Sequence, residues 1–212
     1  LLFALERLSP IDRFNVIEFN SHARSLFPAP MPADPGTTAA AQRFVAGLRA
    51  NGGTEMKPAL TAAFAPESLP GYARQVFFLT DGAVGNEHEL LKLIRANLGD
   101  RRLYTIAIGP APNAWFIRKA AQFGRGTSTF IGDVRDVRER MTALFEKLER
   151  PTLTDLSVTW PVGAEVYPQQ LPDLYSGEPI VVTASFAGAP TTLSIVGRRG
   201  KSAWGTLLPT GA

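Results

Sequence analysis

The feature that most limits the fold is a short, continuous apolar run that stops dead at a turn, "QVFFLTDG" (75–82). It lacks the in–out alternation of a strand with one wet face, so it reads as a strand covered on both faces. "RLYTIAIG" (102–109) is a second strand, and each run leads into a helical pattern. "NEHELLKLIRANLG" (86–99) is apolar at 90, 91, 94 and 98 and stops at Gly99, a C′ residue. "APNAWFIRKAAQFG" (111–124) is the second helix.

The same alternation extends both ways. "FNVIEF" (14–19) has the Val, Ile and Phe content of a strand and forms a hairpin with "ARSLFPAP" through a turn at Asn20-Ser21. "MPADPG" (31–36) is a Pro-rich loop. A helix over 37–50 follows, apolar at 41, 44, 45 and 48, with Thr37 or Thr38 as its N-cap. "NGGTEMKPAL" (51–60) breaks that helix and starts another, in which Pro58 is tolerable in the first turn. "TSTFIG" (127–132) is a short strand. The helix over 133–150 places Val134, Val137, Met141, Leu144, Phe145 and Leu148 on one side. Strands alternating with helices predict an α/β domain over 1–150, a mostly parallel sheet with helices on both faces. At Pro151 the helical period ends. "TLTDLSVTW", "EVYPQQL", "EPIVVTASF" and "TTLSIVG" are β-like, so residues 151–212 are expected to form part of a small β-sandwich.

Composition removes several classes of function. With 22 Lys+Arg against 19 Asp+Glu the net charge is only +3, and the basic cluster Arg198-Arg199-x-Lys201 reads as a solvated turn, so nucleic acid is not an expected partner. The absence of cysteine excludes disulfides, thiolate zinc sites and cysteine nucleophiles. No apolar run approaches the roughly 18–20 residues of a membrane-spanning helix, so direct membrane insertion is not expected. "LLFALERLSP" opens without an initiator Met and is apolar at 1, 2, 5 and 8, like the last part of an amphipathic helix; it reads as a chain cut inside that helix.

Ligands of an open α/β sheet bind beyond the carboxyl ends of its strands. Asp81 falls there, and a carboxylate at that place suits a hard divalent cation, which takes oxygen ligands. Thr54, in the Gly-rich turn "NGGTEM", offers a neutral oxygen, and its competing role is an ordinary N-cap. Asp81 has its own bland alternative, a turn residue that caps the next helix. One carboxylate and one hydroxyl are too few for a complete site.

In order, "SPIDRFNVIEFNSHARSLFP", "NGGTEMKPAL", "QVFFLTDGAVGNEHEL" and "RLYTIAIG" resemble a von Willebrand factor type A domain, in particular those of inter-alpha-trypsin inhibitor heavy chains and their bacterial homologues. The resemblance implies a Rossmann-like sheet with a metal-ion-dependent adhesion site. There Thr54 matches the second-loop Thr and Asp81 the third-loop Asp. The cation is Mg²⁺, or Mn²⁺ or Ca²⁺, and it completes its coordination with a carboxylate of a protein ligand. The first-loop motif D-x-S-x-S does not occur in the sequence. It and the first strand should precede Leu1, so the chain as given is expected to bind metal weakly or not at all. The first strand lies centrally in the family, between the strands matched by 14–19 and 75–80. Without it two apolar edges are open, and dimerisation or rearrangement through them is expected. Asn51, Gly53, Glu55, Gly82, Asn86 and Glu87 would rim the same face and touch a partner.

No convincing general acid, base or nucleophile accompanies Asp81. Ser21 or Ser25 with His88 lacks the strand–turn–helix setting of a hydrolase nucleophile. Gly124-x-Gly126 follows a helix, the wrong setting for a phosphate loop. Trp115, Trp160 and Trp204 are expected in the core or an interface. The expected function is a non-enzymatic adhesion module of an exported protein, at the cell surface, membrane-associated or periplasmic through segments outside this chain. A structural scaffold with an unused metal site is the alternative, and a metal-assisted hydrolase comes last.

Overall fold

The computed structural model describes residues 1–49, 52–67, 69–81, 85–110, 112–148, 151–175, 179–188, 192–200 and 202–210. Its centre is a parallel sheet of β5 (Gln75–Thr80), β6 (Arg102–Ile108) and β7 (Arg125–Ile131), in the order β5-β6-β7. Phe78 lies opposite Thr105, and Ile106 opposite Thr129. The helices α3 (Met56–Phe64), α4 (Glu87–Asn97) and α5 (Ala114–Phe123) cover one face, where Leu60, Leu90, Ile94, Phe116 and Ile117 pack on Phe78, Leu103 and Ala107. α1 (Leu2–Glu6) and α6 (Val137–Leu148) cover the other, where Met141, Leu144 and Leu148 meet Tyr104, Ile106 and Ile131, with Phe3 and Phe77 beside them. Successive strand residues thus go to opposite cores, which is why these runs show no polar alternation. Each fully buried Leu, Ile or Phe contributes about 1.5–3 kcal/mol of transfer free energy.

The N-terminal strands are shorter than expected. The run 14–19 is two pieces, β1 (Arg13–Phe14) and β2 (Ile17–Phe19), because the Asn15 side chain interrupts it. Its Oδ1 accepts from Val16 N and Phe27 N, and its Nδ2 donates to Phe27 O at 2.8 Å. One side-chain amide here stands in for a peptide of the ladder. β2 pairs antiparallel with β3 (Ala23–Ser25), as the hairpin predicts. β1 pairs with β4 (Met31–Pro32) inside the stretch expected to be a loop. Among the described residues β2 and β5 are each paired on one side only, and the Phe19 and Phe78 rings stack between them at 5.2 Å.

α2 (Pro35–Ala46) starts earlier than its apolar period suggested. Its N-cap is Asp34, not Thr37 or Thr38. The Asp34 carboxylate accepts from Gly36 N and Thr37 N, and the Thr37 hydroxyl reciprocates by accepting from Asp34 N. Pro35 then takes the first helical position, where its missing N–H costs nothing. These bonds, that from Thr37 N foremost, hold the Asp34 carboxyl below its ordinary pKa. A depressed pKa means the cap stabilises the fold above the unfolded-state value near pH 4 and loses that contribution as pH falls through the folded value. Asp34→Ala is therefore expected to speed amide exchange at Gly36 and Thr37 at neutral pH, and to make no difference once the carboxyl is protonated.

α6 starts later than the expected 133. Residues Val134–Asp136 form a 3-10 turn capped by Asp133, and Val134 is 72% exposed rather than on the apolar side. No tryptophan is in the core: Trp115 is 49% exposed, and Trp160 and Trp204 are half-buried.

Beyond α6 the chain is β-rich. β8 (Pro151–Thr159), β10 (Leu174–Tyr175), β12 (Thr192–Arg199) and β13 (Ser202–Pro209) form a sheet in the order β10-β8-β12-β13. β9 (Glu165–Tyr167) pairs with β11 (Thr183–Ser185). This segment is tied to the parallel sheet by buried polar contacts. The Tyr104 and Tyr175 hydroxyls are 2.7 Å apart, and Arg102 binds Asp173 through Nε and Nη2 at 2.8 and 2.9 Å.

Candidate functional site

Asp81 follows the carboxyl end of β5, and Thr54 lies in the loop before α3. Phe19 is the last residue of β2, and its stack on Phe78 sets that strand end beside the last turn of β5. The loop before α3 is then pinned to the β2–β3 turn at two points. Gly53 N donates to Ser21 Oγ at 3.0 Å, and Glu55 N donates to Asn20 O at 2.7 Å. Gly52 has φ +86°, and a Cβ on it would lie 2.6 Å from Ser21 Oγ, so only glycine seats the loop this closely. Thr54 is held between these anchors with its side chain exposed. Asp81, also exposed, follows Thr80 at the end of β5.

The neighbouring polar groups are spent on one another. Lys57 at the start of α3 pairs with Glu89 in the first turn of α4, and Asn86 Nδ2 donates to Glu89 at 3.2 Å. Hydrogen bonds from Lys57 and then Asn86 hold the Glu89 carboxyl below its ordinary pKa. Glu87 accepts from Asn113 Nδ2 at 2.8 Å, and Asn113 Oδ1 caps α5 through Phe116 N. These contacts draw the amino ends of α3, α4 and α5 to one rim. By contrast, the Thr54 hydroxyl and the Asp81 carboxylate make no hydrogen bond or ion pair among the described residues. Thr54 is not the N-cap of α3 either: that position is Glu55, whose side chain makes no capping bond.

Of the residues expected to rim this face, Gly53 and Glu55 lie in the pinned loop, while Asn86 and Glu87 are tied into internal contacts. Asn51 and Gly82 lie outside the described residues. Sequence reasoning missed Ser21, weighed only as a nucleophile; its hydroxyl instead orients the Thr54 loop. It also missed Lys57, Glu89 and Asn113, whose pairings join positions 26 to 32 residues apart and leave no local signal.

As donors for a hard cation, one carboxylate and one hydroxyl are of the right kind, exposed and with room for water. Their number is too small for a Mg²⁺ shell. No group of three or more Asp, Glu or His side chains arranged to hold a metal occurs among the described residues. By themselves these two side chains do not make a complete cation site.

The profile of the von Willebrand factor type A domain matches residues 1–130. The chain belongs to the von Willebrand factor type A domain family. It is similar to von Willebrand factor A domain-containing protein 5B1 of Homo sapiens, 30% identical over 186 residues, covering 85% of this chain and 15% of that protein. A von Willebrand factor A domain-containing protein of Dictyostelium discoideum is 28% identical over 194 residues, covering 90% of this chain and 21% of that one. This chain thus spans about a fifth or less of the length of these relatives. Among solved structures, a von Willebrand factor type A protein from Catenulispora acidiphila superposes with a TM-score of 0.70 at 22% identity, over 97% of this chain and 57% of that one. That likeness extends past the A domain into the β-rich segment. The BatB protein of Bacteroides thetaiotaomicron, at 15% identity, aligns over 70% of this chain and 84% of its own, with a TM-score of 0.54. A domains are generally protein-interaction modules. No helix among the described residues is long and apolar enough to cross a membrane.

Proposed function

We propose that this chain carries part of a metal-dependent adhesion site, in which Thr54 and Asp81 help to hold a divalent cation that a protein ligand's carboxylate completes. One observation supports this most. On a rim where Ser21, Lys57, Asn86, Glu87, Glu89 and Asn113 are all engaged, the oxygens of Thr54 and Asp81, with the neighbouring Glu55 carboxylate, make no hydrogen bond or ion pair among the described residues. A divalent cation, Mg²⁺ or else Mn²⁺ or Ca²⁺, would supply the charge that bridges two carboxylates; Asp81 would anchor it and Thr54 would add a neutral oxygen. The remaining ligands come from outside these residues. The function is non-enzymatic, within an exported, surface-located protein of the inter-alpha-trypsin inhibitor heavy chain-like branch.

Asp81→Ala in the intact protein is expected to reduce Mg²⁺-dependent partner binding by at least about 100-fold, the upper end of what even an outer partner of a metal site causes. Stability should be unchanged, since the side chain is exposed and makes no hydrogen bond or ion pair among the described residues. Binding that survives both Asp81→Ala and chelation of the metal would favour a scaffold with an unused site. The open edges of β2 and β5 extend the reading to the chain alone: in solution it dimerises by placing strands of a second copy against them. Sedimentation showing one monomeric species across a concentration series would refute that part.

A further inference from the structure

A second binding site lies away from Asp81, in a cleft of about 740 Å³. One wall is the first half of β7, Gly126 to Ser128, with α5 beside it. The other is built from Tyr167, Pro168, Pro172, Pro179, Ile180 and Val181. β7 is the edge of its sheet and pairs with β6 alone among the described residues, so one side of its backbone has no strand partner. The Thr127 hydroxyl on this wall is buried and makes no hydrogen bond among the described residues. Among the described residues no backbone hydrogen bond joins the facing wall to β7, and three residues of that wall are prolines with no N–H to donate. We propose that the cleft binds an acid-rich, extended segment of a partner protein, which adds to the free edge of β7 as a further strand.

The charge of the cleft selects the sequence of that strand. The charged groups that line it are Arg118, Lys119, Lys147 and Asp173, and Asp173 is already bound to Arg102. Arg118 and Lys119 form no ion pair among the described residues; they sit over the rings of Phe130 and Tyr167, at 5.3 and 4.5 Å. Lys147 lies 5.4 Å from the Tyr175 ring. Lys119 Nζ also donates to Gln122 Oε1 at 3.3 Å and to the Tyr167 hydroxyl, so it is the exposed Arg118 that stays open to a carboxylate on its outer side. Trp115, Tyr167 and Val181, 49%, 48% and 78% exposed, offer apolar cover for alternate side chains of the incoming strand. Main-chain pairing at an edge gives affinity and alternate side-chain pockets give specificity. A carboxylate partner fits this cleft; a basic one does not.

The test uses the whole chain and a fluorescein-labelled peptide of alternating Glu and Val, followed by anisotropy. The Glu/Val peptide is expected to bind, weakening with salt, and a Lys/Val peptide of the same length is not. A Glu/Pro peptide, which keeps the charge but lacks half the N–H groups, should lose the binding. Arg118→Glu with Lys119→Glu should weaken it by more than about tenfold, with an unchanged circular dichroism spectrum showing that the fold persists. Peptide binding should slow amide exchange within Gly126–Thr129, a readout that charge attraction alone would not move. Equal binding of acidic and basic peptides, indifference to the charge reversal, or binding without protection of β7 would overturn the proposal. So would self-association of the chain through this cleft without peptide capture. Asp81→Ala and chelators should leave this binding untouched, so its outcome is independent of the adhesion-site reading.

Discussion

Asp173→Ala is expected to destabilise the chain by about 3 kcal/mol, the scale of a buried ion pair that loses one member. Asp173 is 7% exposed and Arg102 13%, and the carboxylate grips the guanidinium at both Nε and Nη2. Burial alone would lower the Arg102 pKa. The hydrogen bonds and charge of Asp173, and then those of Asp155, outweigh it, so the net displacement is upward. Removing Asp173 leaves the cation with Asp155, which is 55% exposed and bound at 3.1 Å. That remaining partner keeps the expected loss at the low end of its range. A shift of the urea midpoint at constant slope measures the effect. Arg102→Met combined with Asp173→Leu should recover most of it, because apolar replacement of both partners removes the unpaired charge. A single-variant loss below about 1 kcal/mol would mean that the pair behaves like a surface salt bridge.

The second large effect is expected from Gly126→Ala. β7 carries one extra residue against β6, since Arg125 lies opposite Leu103 but Ser128 opposite Thr105. This bulge brings Gly126 so close to β6 that a Cβ would sit 2.3 Å from Leu103 O and 2.8 Å from Leu103 C. Those are backbone atoms of a central strand, so the added methyl must push β7 away. The cost should reach about 3 kcal/mol, the upper end for overpacking. Gly124 has the same constraint, its Cβ falling 2.4 Å from the Leu103 Cβ. Thermal unfolding of Gly126→Ala against a surface control such as Arg199→Ala checks the size. A Gly126→Ala chain that melts with the parent would show that the strands separate freely.

That pair of glycines shows what sequence alone conveys. "GRG" after a helix reads only as the wrong setting for a phosphate loop; what requires its glycines, the closeness of Leu103, is a contact between strands and has no local signature. Asn15 is similar. Strand propensity runs through 14–19, and only the presence of Phe27 across the gap lets the Asn15 amide replace a rung of the ladder. At α2 the sequence points to Thr37 or Thr38 as the cap, and the stretch holding Asp34 reads as a loop. The structure uses Asp34 and Thr37 reciprocally, as cap and partner.

The candidate adhesion site divides in the same way. An acid ending an apolar strand and a threonine in a glycine turn are visible in the chain, because strand ends and glycine turns are written in neighbouring residues. That both stand on one rim depends on Phe19 meeting Phe78, and on Ser21 and Asn20 anchoring the 52–55 loop. That Glu87 is occupied depends on Asn113 at the start of α5, and the Glu89 that holds Asn86 is itself fixed by Lys57 of α3. What the sequence by itself determined was the alternation of doubly covered strands and amphipathic helices, since burial periodicity is a property of consecutive residues. Tertiary structure alone decided which polar groups stay open and which strand edges stay unpaired. Those follow from distances between segments far apart in the chain.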